Sequence, residues 1–140
     1  MWNVARMPGH VILTLSAIVL FIAGGATLFA PEELARALDP SASRGLAVII
    51  QLVGSGFLGF ALINWMSRRN KIGGIYARPL GMGNLLLFAT AALTLGKAAM
   101  AESLPLAAIG VCAVLAVLAA SFAWLVFAHD PVSKASKIAA

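Results

Sequence analysis

Apolar residues in this chain are gathered into four long runs that are separated by short, more polar segments. The runs occupy residues 11–30, 46–66, 80–100 and 104–128, and Lys97 is the only charged residue inside any of them. An α-helix of about 20 residues crosses the ~30 Å hydrocarbon layer of a membrane. It also satisfies its own backbone hydrogen bonds, as lipid requires. The pattern therefore predicts an all-α fold, an integral membrane four-helix bundle.

The composition supports the same class. Hydrophobic residues make up 61% of the 140 residues and charged residues only 11%, which lies outside the range of soluble globular domains. A soluble core in so short a chain would not hide this much apolar surface. We expect a single transmembrane domain over residues 1–140, embedded in the lipid bilayer.

The segment 31–44 between the first two runs has the features of a short helix. Pro31 suits a first helical position, and the two glutamates after it suit the positive end of a helix dipole. Leu34 and Leu38 would share one face, and Pro40 would end the helix. Two interpretations remain, a helix lying in the outer membrane interface or an ordinary ordered loop.

The distribution of basic residues predicts the orientation of the four spans. Three segments would share the cytoplasmic side, and together they carry Arg6, Arg68, Arg69, Lys71, Arg78, Lys134 and Lys137. The opposite side would hold only Arg36, Arg44 and Lys97. Cytoplasmic loops of membrane proteins are enriched in Lys and Arg. We therefore expect both termini inside, in a bacterial cytoplasmic membrane. No segment has the interleaved basic and aromatic surface that nucleic-acid binding needs.

Local signals refine the ends of the helices. The Pro-Gly pair before His10 predicts that the first helix begins near that residue. Pro79 predicts an extended Arg78 ahead of the third helix. Ser103 is a candidate N-cap, with Pro105 in the first turn of the fourth helix. The short loop between the last two spans predicts a tight antiparallel hairpin.

Small or mildly polar residues recur at helical spacing in three of the spans. The three stripes are Gln51, Ser55 and Gly59 in the second span; Gly83, Leu87, Thr90, Thr94 and Lys97 in the third; and Ala108, Cys112, Ala116 and Ala120, with Ala119 and Ala123, in the fourth. Small residues allow helices to approach closely in lipid. We interpret the stripes as packing faces; the alternative is that they line a path for a solute.

Polar residues at the predicted inner ends of the helices are the best candidates for a site. They are His10, Asn64, Arg68, Arg69, Lys71, Arg78, Asn84 and His129. At similar depth they would line one pocket at the cytoplasmic rim. The arginines suit phosphate oxygens, so anionic lipid headgroups are the expected partners. The two asparagines are expected to hydrogen-bond to neighbouring helices.

Residues for catalysis are scarce. No Asp or Glu lies within a span, which argues against a proton-coupled exporter with a buried carboxylate, and Cys112 alone does not support dithiol redox chemistry. We expect no catalytic residue, metal or cofactor. The favoured function is a non-catalytic structural or accessory subunit that forms a homo-oligomer or joins a larger membrane complex. The alternatives are a small oligomeric transporter or channel, and a membrane enzyme or cofactor carrier that uses His10 and His129.

Overall fold

The computed structural model describes residues 9–69, 77–101 and 106–127, and nearly all of them are helical. Five helices follow one another along the chain. They are α1 (Gly9–Phe29), α2 (Pro31–Leu38), α3 (Arg44–Ser67), α4 (Ala77–Ala101) and α5 (Leu106–Phe127). The predicted all-α class is confirmed.

Four of the helices are long and apolar enough to cross a membrane, within Gly9–Phe29, Arg44–Ser67, Arg78–Ala101 and Ala108–Phe127. Their mean hydropathy ranges from 1.4 to 2.5. These are the four helices expected of the predicted bundle, and the protein is a multi-pass integral membrane protein.

The chain divides into two compact units, Met1–Asn70 and Lys71–Ala140. They are called the first and the second unit below. The expectation of one domain over the whole chain stays a prediction.

In the first unit, α1 and α3 pack as an antiparallel pair. Ser16 near the start of α1 meets Asn64 near the end of α3, whereas Leu28 near the end of α1 meets Gln51. Between these points the backbones come together at Gly24 and Gly54. A Cβ atom on Gly24 would lie 3.0 Å from the Gly54 carbonyl oxygen, and one on Gly54 would lie 3.1 Å from that of Gly24. Only glycine permits this approach.

Helix α2 confirms the helical interpretation of segment 31–44. Ala30 alone separates it from α1, and Pro31 begins the helix as predicted. The helix packs on α1 and α3 through the buried Ala35, while Leu38 is 74% exposed. The exposed leucine fits an interfacial position, which stays a prediction.

The turn from α2 to α3 is organised by a carboxylate. Asp39 Oδ1 accepts hydrogen bonds from the Ser41 backbone N–H at 2.8 Å and from the Ser41 hydroxyl at 2.7 Å. These two donors favour the charged form and hold the pKa of Asp39 below its ordinary value of 3.8.

In the second unit, α4 and α5 also pack antiparallel, as predicted for a hairpin. Gly81 approaches Val126 at one end, and the Cys112 thiol donates to the Ala92 carbonyl oxygen at 3.5 Å towards the other. Between them, the rings of Phe88 and Phe122 stack with their centroids 5.7 Å apart and an interplanar angle of 15°.

One predicted boundary is wrong. Helix α4 begins at Ala77, so Arg78 lies in its first turn and is not extended. Pro79 is accommodated because backbone N–H groups in the first turn have no partner within the helix, so its missing donor costs nothing there. Helix α1 begins at Gly9, next to the predicted His10. Ser103 and Pro105 lie outside the described residues.

Candidate functional site

The structure separates the predicted rim residues into buried and exposed groups. Asn64 and Asn84 are fully buried. His10, Arg69 and Arg78 are exposed, and Arg68 is partly exposed. Lys71 and His129 lie outside the described residues. The shared cytoplasmic pocket therefore stays a prediction, and the two groups have different structural roles.

Asn64 joins α3 to α1 through a hydrogen bond between side chains. Its Nδ2 donates to Ser16 Oγ at 3.0 Å, and Ser16 Oγ donates to the Leu13 carbonyl oxygen at 3.0 Å. Both side chains are 0% exposed. The prediction that this asparagine bonds to a neighbouring helix is confirmed. In an apolar contact such a bond stabilises modestly, by about 0.6 kcal/mol on average, but leaving it unmade is costly.

Asn84 bonds back to its own helix. Its Nδ2 donates to the Leu80 carbonyl oxygen one turn earlier at 2.9 Å, and it has a further interaction as well. Every buried side-chain nitrogen or oxygen in the described ranges has a hydrogen-bond partner. The buried polar groups of these ranges are therefore satisfied within the protein.

The end of α3 carries an aromatic side chain and two cations. The Arg68 guanidinium carbon lies 3.4 Å from the centroid of the Trp65 ring, a cation–π arrangement. The same guanidinium donates to the Trp65 carbonyl oxygen, one of the acceptors left open at a helix C-terminus. Arg69 follows and is exposed. Positive charge is favourable at this end of the helix dipole.

The predicted stripe on α3 is not the face that packs against α1. Gly54 lies in that contact, whereas Ser55 and Gly59 are exposed and the space around Gly59 is open. Within this stripe, Gln51 contacts α1 through a 3.4 Å hydrogen bond from Nε2 to the Leu28 carbonyl oxygen. The spacing of small residues at steps of four predicted Ser55 and Gly59 as the contact, but not Gly54, which directly precedes Ser55.

The stripes on α4 and α5 are partly exposed and partly half-buried. Thr90, Thr94 and Lys97 are exposed, and a solute path along them stays a prediction. On α5, Ala116 and Ala120 are exposed, whereas Cys112 contacts α4 through its bond to Ala92. Cys112 acts there as a packing residue, as its position mid-span suggests.

Hydroxyl groups in the spans are mostly bonded to the backbone of their own helix. Each donates to a carbonyl oxygen three or four residues earlier; the residues are Thr14, Ser16, Thr27, Ser55, Thr90 and Ser121. Such bonds satisfy a hydroxyl in lipid without another side chain. None of these contacts pairs a hydroxyl with a base.

Metal-ligating side chains do not gather in threes or more within residues 9–69, 77–101 and 106–127. His10 is exposed near the start of α1, and the proposed second ligand, His129, lies outside the described residues. The cofactor-carrier alternative therefore gains no support from the described part of the chain.

Several structurally important residues were not predicted from the sequence. Ser16, Gly24 and Gly54 form the α1–α3 contact, and Phe88 and Phe122 form the α4–α5 contact. The Gly24-Gly25 pair in the first span was a usable signal, since adjacent glycines in an apolar helix are typical of close helix approach.

No protein-family model, curated protein or solved structure matches this chain.

Proposed function

We propose that this membrane protein is a non-catalytic structural or accessory subunit, which assembles with copies of itself or with a larger membrane complex. The supporting observation is that each unit keeps small residues exposed on a helix whose other face is already packed. In lipid, close packing of small-residue faces is a main source of helix association.

In the first unit the exposed face is on α3. After α1 has packed against Gly54, Ser55 and Gly59 remain exposed four residues apart. The Ser55 hydroxyl donates to the Leu52 carbonyl oxygen of its own helix at 2.7 Å, so its polarity is satisfied without a partner. This face is small, nearly apolar and open to another helix.

In the second unit the corresponding face is on α5. Ala116 and Ala120 are exposed four residues apart, while Leu118 and Phe122 are buried on the other side. Two helices of one small protein thus each present a shallow surface, which suits contact with more than one neighbour.

The polar groups support a non-catalytic role. The hydrogen bonds that we describe for hydroxyl and amide groups in the spans go to helix backbone or, for Asn64, to a neighbouring helix. A catalytic site would instead need polar groups that converge on a substrate position.

The test is the mass of the assembly extracted in mild detergent. Gly59→Leu fills the open space on the proposed face, and we expect it to reduce the assembly to smaller species. Gly25→Leu is the matched control, because the space around Gly25 is equally open but this residue lies on α1 and not on the α3 face. We expect this control to assemble as the wild type does.

Two results would overturn the proposal. One is a wild-type chain that is monomeric in mild detergent and co-purifies with no other protein. The other is a Gly59→Leu variant that assembles as completely as Gly25→Leu, because the α3 face would then have no part in assembly.

The proposal includes a bacterial cytoplasmic membrane with both termini inside, on the strength of the basic residues near Trp65 and after α3. At residue 74, a fused reporter that works in the cytoplasm should be active, and one that works only in the periplasm should be inactive. A periplasmic signal from that position would reverse the orientation.

A further inference from the structure

We propose that the end of α3 forms a binding site for one anionic phospholipid, with its acyl chain along Leu62 and Met66 and its phosphate at Arg69. The site lies wholly within the first unit. It uses residues that the helix contacts leave exposed.

The four residues that define the site share one helical face. Leu62, Trp65, Met66 and Arg69 follow the i, i+3, i+4, i+7 spacing of a single stripe. Leu62 is 59% exposed, Trp65 46% and Met66 68%, and Arg69 is exposed as well. Arg68 has helical backbone angles, so the helical path continues beyond Ser67 towards Arg69. Along this face, the side chains therefore change from apolar and aromatic ones to the cationic Arg69 at the end of the helix.

Trp65 and Arg68 form the boundary between the apolar and charged parts. Tryptophan rings favour the headgroup level of a membrane. The Arg68 guanidinium lies over this ring and donates to the backbone carbonyl of the same residue, so its position is held from two directions. Its charge adds to the positive potential around Arg69, whose side chain is left to contact a ligand.

An anionic phospholipid is the occupant that suits this order of surfaces. The exposed leucine and methionine require an apolar partner, and the cations beside them favour a phosphate. Because the helix spans the membrane, such lipids surround this face and basic residues near an anionic surface contribute to binding. The other end of α3 has a basic residue too, Arg44, but without an exposed tryptophan in the turn beside it.

The experiment measures lipids retained by the full-length protein. The chain is equilibrated in vesicles of equimolar phosphatidylglycerol and phosphatidylcholine, extracted in mild detergent and weighed by native mass spectrometry. We expect wild type to retain phosphatidylglycerol preferentially. Arg69→Gln should lower that retention about fivefold, the effect of one basic residue near an anionic surface. Arg69→Lys should retain most of it.

Arg44→Gln is the matched control at the other end of the same helix. Unchanged retention in this variant, with loss in Arg69→Gln, supports the site. Equal losses in the two variants would show attraction to net charge alone and overturn it. The site would also be overturned if Arg69→Gln retained as much phosphatidylglycerol as the wild type does. Displacement of the lipid by glycerol 3-phosphate at equal concentration would overturn it too. The same spectra report assembly, which Arg69→Gln should leave intact, so this inference and the subunit proposal fail separately.

Discussion

The α1–α3 contact is formed by backbone atoms and a polar pair, whereas the α4–α5 contact is centred on two stacked rings. In the first unit, Gly24 and Gly54 bring the helices close enough for each backbone to touch the other. In the second unit, Phe88 and Phe122 fill the space between helices.

The difference shows two ways of replacing the hydrophobic effect, which does not drive helices together in lipid. Close backbone approach increases van der Waals contact along both helices and requires particular small residues. In ring stacking, two large side chains supply the contact area, and the aromatic interaction between them adds about 0.5–1.5 kcal/mol of stabilisation. The first contact should therefore be damaged by adding atoms, and the second by removing them.

Removing a ring should have the largest effect. We expect Phe122→Ala to lower the free energy of unfolding by about 3 kcal/mol, because it leaves a cavity beside Phe88. Helicity followed by circular dichroism during titration with a denaturing detergent measures the loss. Phe127→Ala is the control in the same helix, since Phe127 is exposed. Equal losses in the two variants would contradict a contact centred on the rings.

Adding one methyl group at the glycine contact should have the next largest effect. The new Cβ in Gly54→Ala would collide with Thr27 Oγ1 and lie 3.1 Å from the Gly24 carbonyl oxygen. We expect a loss of about 1–3 kcal/mol in the same titration, the usual cost of overpacking. Gly59→Ala, which meets open space, should unfold as wild type does. A stable Gly54→Ala variant would show that the backbones can separate at little cost.

The buried polar pair should contribute less. A double-mutant cycle of Ser16→Ala and Asn64→Ala measures the coupling between the two side chains, and we expect about 0.6 kcal/mol. Ser55→Ala combined with Asn64→Ala is the control cycle, because Ser55 bonds only within its own helix. If the two cycles give the same coupling, the Ser16–Asn64 bond does not help to pair the helices.

The smallest effect should be a pH dependence confined to the first unit. Since the pKa of Asp39 is lowered on folding, its stabilising contribution is complete above the unfolded value near 3.8. It is lost as the pH falls through the lower folded pKa. Wild type should therefore lose more stability on acidification than Asp39→Asn, measured by the same titration at several pH values. Parallel losses would mean that the Ser41 hydrogen bonds do not favour the charged carboxylate.

The sequence was most informative about the helices and least informative about their contacts. Span positions followed from length and apolarity, and each predicted end lies within three residues of the observed one. Pro31 correctly predicted the start of α2, because proline fits a first helical position. Pro79 led to the wrong prediction that Arg78 is extended. A first helical turn tolerates proline, and α4 begins before Pro79.

The contact faces were harder to predict because the spans are apolar on all sides. A soluble helix reveals its buried face by a polar opposite face, but in lipid both faces are apolar. Small residues at steps of four suggested Ser55 and Gly59, although Gly54 makes the contact. The bond from Asn64 to a neighbouring helix was predicted because polar side chains in membrane helices bond across helices, whereas Ser16 as its partner required the structure.

The junction at Ala30 has a consequence for the register of the first unit. One residue joins α1 to α2, and the Leu34 N–H already bonds to the Ala30 carbonyl oxygen, so the two helices are joined without slack. At the other end, Asp39 closes a short turn before α3. The connection between α1 and α3 therefore has a nearly fixed length. The number of residues in α2 then sets the register of α3 against α1, and so which α3 residues lie opposite Gly24. A short helix outside the four spans thus helps to set which face of α3 packs against α1.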